Sequence, residues 1–253
     1  MVRYAANLTL MFQEWSFLDR FEAARDAGFQ AVEFGFPTGF EAQRIADQLK
    51  RARLHQVLAT VPLRSGSKGL AAMPGQQKSF REDMKRALEY AAAAQSPLLH
   101  VLSGVAEQPD QVSSDHRFRR NMEWALEQAS KANVRLVIEA INQRSVPGYY
   151  IRSLADALAW SERLPGLGVI LDVYHACMEG LEPVKCIRDH ATQCAHLQIA
   201  GYPGRNEPDN GSLDYTAVVD AIHTSRYEGW VGCEYLPAAS TSDGLTWRSY
   251  AGQ

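Results

Sequence analysis

The sequence lacks the features of several common protein classes. Its 253 residues include only four cysteines, which form no Cys-x-x-Cys pair and no zinc-finger spacing. No apolar stretch approaches the roughly 20 residues of a membrane-spanning helix. No block of Lys and Arg is present, and the formal net charge is -3. We therefore expect no disulfide framework, no structural zinc, no membrane association and no nucleic-acid partner.

The beginning of the chain resembles no secretory signal, because residues 1–7 lead directly into a strand-like segment. Together with the unpaired cysteines, this start predicts a cytoplasmic protein whose thiols are reduced and buried. A hydrophobic content of 46% and a charged content of 22% are ordinary for a soluble globular protein. The small net negative charge is compatible with a small anionic substrate.

Short apolar segments alternate with amphipathic segments along the whole chain. The apolar segments predict eight strands, at residues 4–8, 30–34, 56–61, 98–102, 134–139, 167–173, 194–199 and 230–235. Helical crossovers at this spacing imply a parallel sheet, and eight units favour closure into one α/β domain, a (β/α)₈ TIM barrel over residues 1–253. An open doubly wound sheet is the alternative, but no Gly-x-Gly-x-x-Gly follows the first strand.

The fifth predicted strand carries a charge at its end. Residues 134–138 are mostly apolar, as in a strand covered on both faces, and Glu139 follows them directly. An unpaired buried carboxylate costs several kcal/mol, so Glu139 requires a cation or a proton donor nearby. In a barrel, the carboxyl ends of the strands surround the active site, which places Glu139 there.

Four adjacent predicted strands each offer an oxygen ligand near this end: Glu139, Asp172, Gln198 and Glu234. Three neighbouring carboxylates repel one another unless a cation or shared protons lie among them. Carboxylate and amide oxygens suit Mg²⁺ or Mn²⁺ better than a structural zinc ion. The pattern therefore predicts a divalent metal site. The alternative for each residue is a strand-end group paired with Lys or Arg, and Glu33 stands in a similar place on the second strand.

Three further residues are candidates for substrate binding. His175 follows the sixth strand in a predicted loop, from which it can reach a substrate oxygen; a structural histidine is the alternative. Arg205 lies in the loop after the seventh strand, where a guanidinium suits a carboxylate or enolate oxygen, with a loop ion pair as the alternative. Lys68 in the third loop can bind a substrate anion, although a solvated lysine is its simpler interpretation. His100 and His196 lie within strands and are interpreted as structural.

Six segments resemble the hydroxypyruvate isomerase family. They cover residues 5–8, 31–34, 137–142, 171–175, 196–200 and 229–235, and read AANL, AVEF, VIEAIN, LDVYH, HLQIA and GWVGCEY. The family belongs to the xylose-isomerase-like barrels of sugar isomerases and epimerases, and the resemblance runs in order along nearly the whole chain. It implies a divalent-metal TIM barrel that interconverts hydroxypyruvate and tartronate semialdehyde, or that acts on the homologous 2-oxo-tetronates.

The resemblance also implies residue roles. The two proton-transfer glutamates of the family correspond to Glu139 and Glu234. By similarity to the related ketose epimerases, the metal ligands correspond to Glu139, Asp172, Gln198 and Glu234. Those epimerases usually have His at the position of Gln198, whereas Gln is usual in the hydroxypyruvate branch.

The chain departs from the family at the rim that would contact the substrate. The third loop, residues 62–69, is shorter than usual, Asn206 replaces a His, and Ser212 replaces a Glu. A ketose 3-epimerase and a non-catalytic sugar-acid binder therefore stay open as alternatives. A metal-dependent phosphodiesterase acting on abasic DNA is less favoured, because it needs several strand-end histidines and a basic face. The expected partner is a small anionic sugar acid, and the sequence is compatible with a homo-oligomer.

Overall fold

The computed structural model describes residues 2–105 and 111–249. Its eight strands are β1 Arg3–Asn7, β2 Ala31–Glu33, β3 His55–Thr60, β4 Leu98–His100, β5 Arg135–Glu139, β6 Gly168–Asp172, β7 His196–Ile199 and β8 Trp230–Cys233. Each strand pairs in parallel with the next, and β8 closes the ring by pairing with β1. The structure thus confirms the predicted (β/α)₈ barrel.

Helices connect the strands and cover the outside of the barrel. They are α1 Arg20–Asp26, α2 Ala42–Ala52, α3 Gln77–Ala94, α4 Gln111–Lys131, α5 Leu154–Arg163, α6 Val173–Met178, α7 Pro183–His190 and α8 Tyr215–Thr224, with a final 3₁₀ helix at Asp243–Ser249. In α2, the buried Ile45, Leu49 and Ala52 recur at helical spacing and face the core. Within the described ranges, every helix is too short or too polar to cross a lipid bilayer.

The alternation of side chains along β5 directs Glu139 into the barrel. Val137 packs with Leu58 and Ile170 in a small interior cluster, whereas Ile138 belongs to the larger core between strands and helices. Because side chains two residues apart in a strand share a face, Glu139 points inward like Val137, and Asp172 points inward like Ile170. The same periodicity that fills the barrel with apolar side chains therefore brings acids together at its carboxyl end.

The helix α6 was not predicted from the sequence, and it places His175 in a helix rather than in a loop. Asp172 starts this helix, because its Oδ1 accepts hydrogen bonds from the backbone N–H groups of Tyr174 (2.7 Å) and His175 (3.2 Å). The six residues of α6 are too few to show a helical period in the sequence.

Candidate active site

Three buried side chains meet at the carboxyl ends of β5 and β6. Glu139 ends β5, Asp172 ends β6, and His175 lies one turn into α6. One ligand atom from each of the three lies within 4.8 Å of the others, so the group can hold a metal ion. His175 Nε2 is 3.5 Å from Glu139 Oε1 and 4.0 Å from Asp172 Oδ2. The predicted proximity of Glu139 and Asp172 is thus present in the structure.

Gln198 and Glu234 approach the group from the next two strands. Gln198 is the register partner of Asp172 and is buried, and its Nε2 donates to Glu33 Oε1 at 2.8 Å. Glu234 follows β8 directly, and its backbone N–H donates to Ile199 O at 3.1 Å. The Glu234 side chain retains 21% exposure, so it lies where the buried group meets the solvent.

Four buried oxygen atoms of the site accept no hydrogen bond from any described residue. They are Glu139 Oε1, Asp172 Oδ2, Gln198 Oε1 and Glu234 Oε2. Buried acceptors are normally satisfied, because leaving one without a partner costs about 1–3 kcal/mol. Each of the four predicted ligands contributes one such oxygen, and the donor set is the hard, oxygen-rich type that Mg²⁺ and Mn²⁺ prefer. The residues present therefore fit a divalent cation.

Arg205 is the cation closest to these acids among the described residues. Its Nη2 lies 3.1 Å from Glu234 Oε2 and 3.8 Å from Asp172 Oδ2, and its guanidinium lies over the ring of Tyr174 at 5.1 Å. The backbone of Arg205 is left-handed, with φ of 56°, and Leu236 N–H donates to its carbonyl at 2.9 Å. The loop is thus fixed so that Arg205 faces the site.

The hydrogen bonds of His175 determine which ring nitrogen carries the proton. The backbone N–H of Asn142 donates to His175 Nδ1 at 3.3 Å, and Asn142 Nδ2 lies 2.5 Å from the same atom. The amide orientation follows from Asn142 Oδ1, which accepts from the backbone N–H groups of Arg144 and Ser145. Since Nδ1 is an acceptor, the proton of the neutral ring is on Nε2, the nitrogen that lies 3.5 Å from Glu139 Oε1.

Burial and mutual repulsion shift the ionisation of the whole site. Burial raises the pKa of Glu139 well above its usual range, and the charges of Glu234 and Asp172 raise it further. Burial also raises the pKa of Glu234 to about 7, against the opposing effect of Arg205. The pKa of His175 falls to about 4, chiefly because of burial, so this ring is neutral at pH 7.

Three other residues singled out from the sequence, Lys68, Asn206 and Ser212, make no described ion pair or hydrogen bond with the acids of the site. Lys68 is exposed on the wall of a cavity of about 640 Å³ that Arg64 and Arg117 also line. None of the ion pairs between described residues joins Lys68 to an acid of the site. Asn206 donates from Nδ2 to Leu236 O at 2.9 Å, and Ser212 contacts Tyr202 O at 3.3 Å. Both contacts stabilise the rim loops.

One residue of the site was missed from the sequence. Asn142 fixes the tautomer of His175, and its sequence signal was its position three residues beyond Glu139. His196 was interpreted as structural; it is buried, and its Nε2 lies 2.6 Å from Glu33 Oε2, in a polar group that also binds Gln198. No local pattern predicts this contact, because β2 and β7 meet only through the closed barrel.

The closed parallel barrel, with buried acids at the carboxyl ends of its strands, defines the protein as a TIM barrel. The chain belongs to the xylose isomerase-like TIM barrel family, whose profile matches residues 21–249. It is 40% identical, over 100% of both chains, to a 2-oxo-tetronate isomerase from Cupriavidus necator. It is also 34% identical to a hydroxypyruvate isomerase from Escherichia coli, over 98% of each chain. These relatives confirm the predicted family resemblance and an isomerase as the class of enzyme.

Solved structures agree on the fold. An AP endonuclease of family 2 from Brucella melitensis superposes with a TM-score of 0.95 at 38% identity and covers 99% of each chain. A 3-keto-D-glucoside 4-epimerase from E. coli superposes with a TM-score of 0.81 at 17% identity, over 99% of this chain and 100% of that one. At that identity, the epimerase supports the fold alone.

Proposed function

We propose that this protein is a metal-dependent aldose–ketose isomerase of a short sugar acid, with hydroxypyruvate and tartronate semialdehyde as its pair of substrates. The observation that carries the proposal is the set of four buried oxygens at the carboxyl ends of β5 to β8 that accept no hydrogen bond from the described residues. Glu139, Asp172, Gln198 and Glu234 would hold Mg²⁺ or Mn²⁺ through them. When bound, such a cation supplies electrostatic stabilisation of negative charge on the substrate oxygens.

The proton transfer of the proposed reaction falls to two glutamates. Isomerisation moves a proton between adjacent carbons through an enediolate, so one group must remove the proton and one must return it. Burial raises the pKa of both Glu139 and Glu234, that of Glu234 to about 7. A pKa near the working pH suits a group that alternates between base and acid.

The remaining side chains bind the substrate. Arg205 presents its guanidinium beside Glu234 and Asp172, where a second anion such as a substrate carboxylate can share it. His175 Nε2 lies 3.5 Å from Glu139 Oε1 and makes no hydrogen bond to it, so its N–H can donate to a substrate oxygen bound beside these acids. Lys68 would bind a substrate anion only at the outer edge of the site, because it lies exposed in the third loop.

A 2-oxo-tetronate is the second candidate substrate. The relative from Cupriavidus necator, at 40% identity over the full chain, is a 2-oxo-tetronate isomerase. Both substrates require the same proton transfer, and they differ in the length that the rim must accommodate. Asn206 and Ser212 stand at rim positions where the family resemblance implies the larger His and Glu, so they would leave more room for the longer substrate.

Solvent exchange tests the proposal. Metal-loaded protein incubated with hydroxypyruvate or a 2-oxo-tetronate in D₂O is expected to place deuterium in substrate and product, because the transferred proton equilibrates with water on a carboxylate. We expect Glu139→Gln and Glu234→Gln each to abolish turnover while the far-ultraviolet circular dichroism stays unchanged. Near-wild-type turnover in either variant would contradict the two-glutamate mechanism. An oligonucleotide with an abasic site serves as the counter-substrate, and its cleavage would favour a phosphodiesterase.

A further inference from the structure

The side chain of Glu33 lies inside the barrel and accepts three hydrogen bonds. Its Oε1 accepts from Asn7 Nδ2 at 2.9 Å and from Gln198 Nε2 at 2.8 Å, and its Oε2 lies 2.6 Å from His196 Nε2. The residue is only 1% exposed. All three partners are donors, as a carboxylate requires, since it has acceptor positions alone.

Glu33 reaches Gln198 across two intervening strands. Asn7 on β1 is the register partner of Glu33, and Gly232 on β8 is the register partner of Gln198. Gly232 also pairs with Ala5, which lies two residues before Asn7 on the same face of β1. A Cβ at Gly232 would collide with both carboxylate oxygens of Glu33. Because glycine has no side chain, position 232 leaves space for the Glu33 side chain to extend from β2 to β7.

The contact with Glu33 determines which end of the Gln198 amide faces the acids. An amide presents nearly the same shape after a rotation of 180°, so its surroundings must distinguish oxygen from nitrogen. Glu33 distinguishes them, because a carboxylate attracts the NH₂ group and repels the carbonyl oxygen. Gln198 Oε1 consequently stays away from Glu33, buried and without a hydrogen-bond donor among the described residues.

We propose that Glu33 is a positioning residue that orients the Gln198 amide, so that its oxygen rather than its NH₂ group is offered to a divalent cation. The proposal rests on the proposed function, since it requires a cation at Glu139, Asp172 and Gln198. Glu33 itself does not touch the cation. Its carboxylate acts through the 2.8 Å hydrogen bond to Gln198, in the way that outer-sphere partners orient metal ligands.

The Glu33→Gln variant tests the proposal by Mn²⁺ titration in a calorimeter. A glutamine at position 33 offers both an acceptor and a donor, so the Gln198 amide can rotate and turn its NH₂ group towards the cation. We expect Mn²⁺ to bind at least about tenfold more weakly than to the wild type, as is typical when such a partner is removed. Asp83→Asn is the matched control, because Asp83 is a buried carboxylate on α3 that pairs with Arg64. The Mn²⁺ affinity of this variant should stay within about twofold of the wild type.

A charge exchange provides the rescue that a purely structural role would not give. In the double variant Glu33→Gln with Gln198→Glu, position 33 donates to position 198, and the second carboxylate oxygen of position 198 faces the cation. We expect this protein to recover Mn²⁺ affinity relative to Glu33→Gln alone, to within a few-fold of the wild type. Equal affinity in the wild type and in folded Glu33→Gln would overturn the proposal, and so would a double variant that binds no better than the single one.

Two further measurements allow the role of Glu33 to be tested even if the first variant fails to fold or no turnover is found. If Glu33→Gln does not fold, Glu33→Asp replaces it, because the shorter side chain keeps the charge but withdraws from Gln198; undiminished Mn²⁺ affinity there would likewise refute the orienting role. A wild-type protein that binds no Mn²⁺ would refute both the metal site and this inference. Metal binding without isomerase turnover would remove only the proposed substrate and would leave the role of Glu33 standing.

Discussion

Replacing Glu139 with glutamine measures how strongly the clustered acids oppose folding in the absence of metal. One carboxylate oxygen of Glu139 and one of Asp172 lie within 4.8 Å. Two full negative charges at that separation repel by about 3 kcal/mol at an effective dielectric constant of about 20. Arg205 and partial protonation reduce this repulsion, so we expect the variant to be more stable than the wild type by about 1–3 kcal/mol at pH 8 in a chelator.

The sign of the pH dependence follows from the pKa of Glu139. Because this pKa is raised in the native state, the native protein holds the proton more tightly than the unfolded chain does. The resulting stability is fully present below the unfolded pKa of about 4.3 and is lost as the pH rises through the native pKa. The variant has no such loss, so its advantage should be small near pH 4.5 and should grow towards pH 8.

Urea denaturation in EDTA at pH 5 and pH 8 gives both free energies of unfolding. Saturating Mn²⁺ should then reverse the order at pH 8, because a cation at about 1,000 times its dissociation constant stabilises the wild type by about 4.1 kcal/mol, which exceeds the expected advantage of the variant. Glu89→Gln, on the exposed side of α3, is the control and should change neither value. A Glu139→Gln protein that is no more stable than the wild type at pH 8 in EDTA would refute the repulsion argument.

Three further predictions concern other parts of the fold. We expect Arg205→Leu to lower kcat/KM at least about 100-fold in steady-state assays, because a charged partner of the substrate and of Glu234 is lost (roughly 2–3 kcal/mol). Burial raises the pKa of Glu179 to about 7, and its Oε2 accepts from Leu154 N–H; Glu179→Gln should add about 1–2 kcal/mol at pH 8 and nothing at pH 4.5 by urea denaturation. Ser153→Ala removes the side-chain cap of α5 and should cost about 1 kcal/mol in the same assay.

The fold and the main acids of the site could be predicted from local patterns. Eight alternations of apolar and amphipathic segments indicate a parallel sheet, and parallel strands have all their carboxyl ends on one side. Glu139 and Asp172 end β5 and β6 in the structure, as predicted. Both assignments depend on the apolar run that precedes each acid, which is a property of neighbouring residues and is therefore visible in the sequence.

The helix α6 shows where local patterns fail. Its start depends on two hydrogen bonds from backbone N–H groups to Asp172 Oδ1, while Oδ2 of the same side chain stays available as a ligand. An acid at a strand end is consistent with either role, and six residues carry no clear periodicity. The position of His175 in a helix, with Nδ1 held by Asn142, therefore required the folded chain.

The polar group around Glu33 depended wholly on the tertiary structure. Glu33 and Gln198 are separated by 165 residues, and they meet only because β1 and β8 pair to close the ring. Arg205 likewise faces the acids because the chain after β8 binds its backbone carbonyl. The sequence specifies strands, their inward faces and an acidic rim through local periodicity. Which polar groups then share a hydrogen bond follows from barrel closure, which brings together strands from opposite ends of the chain.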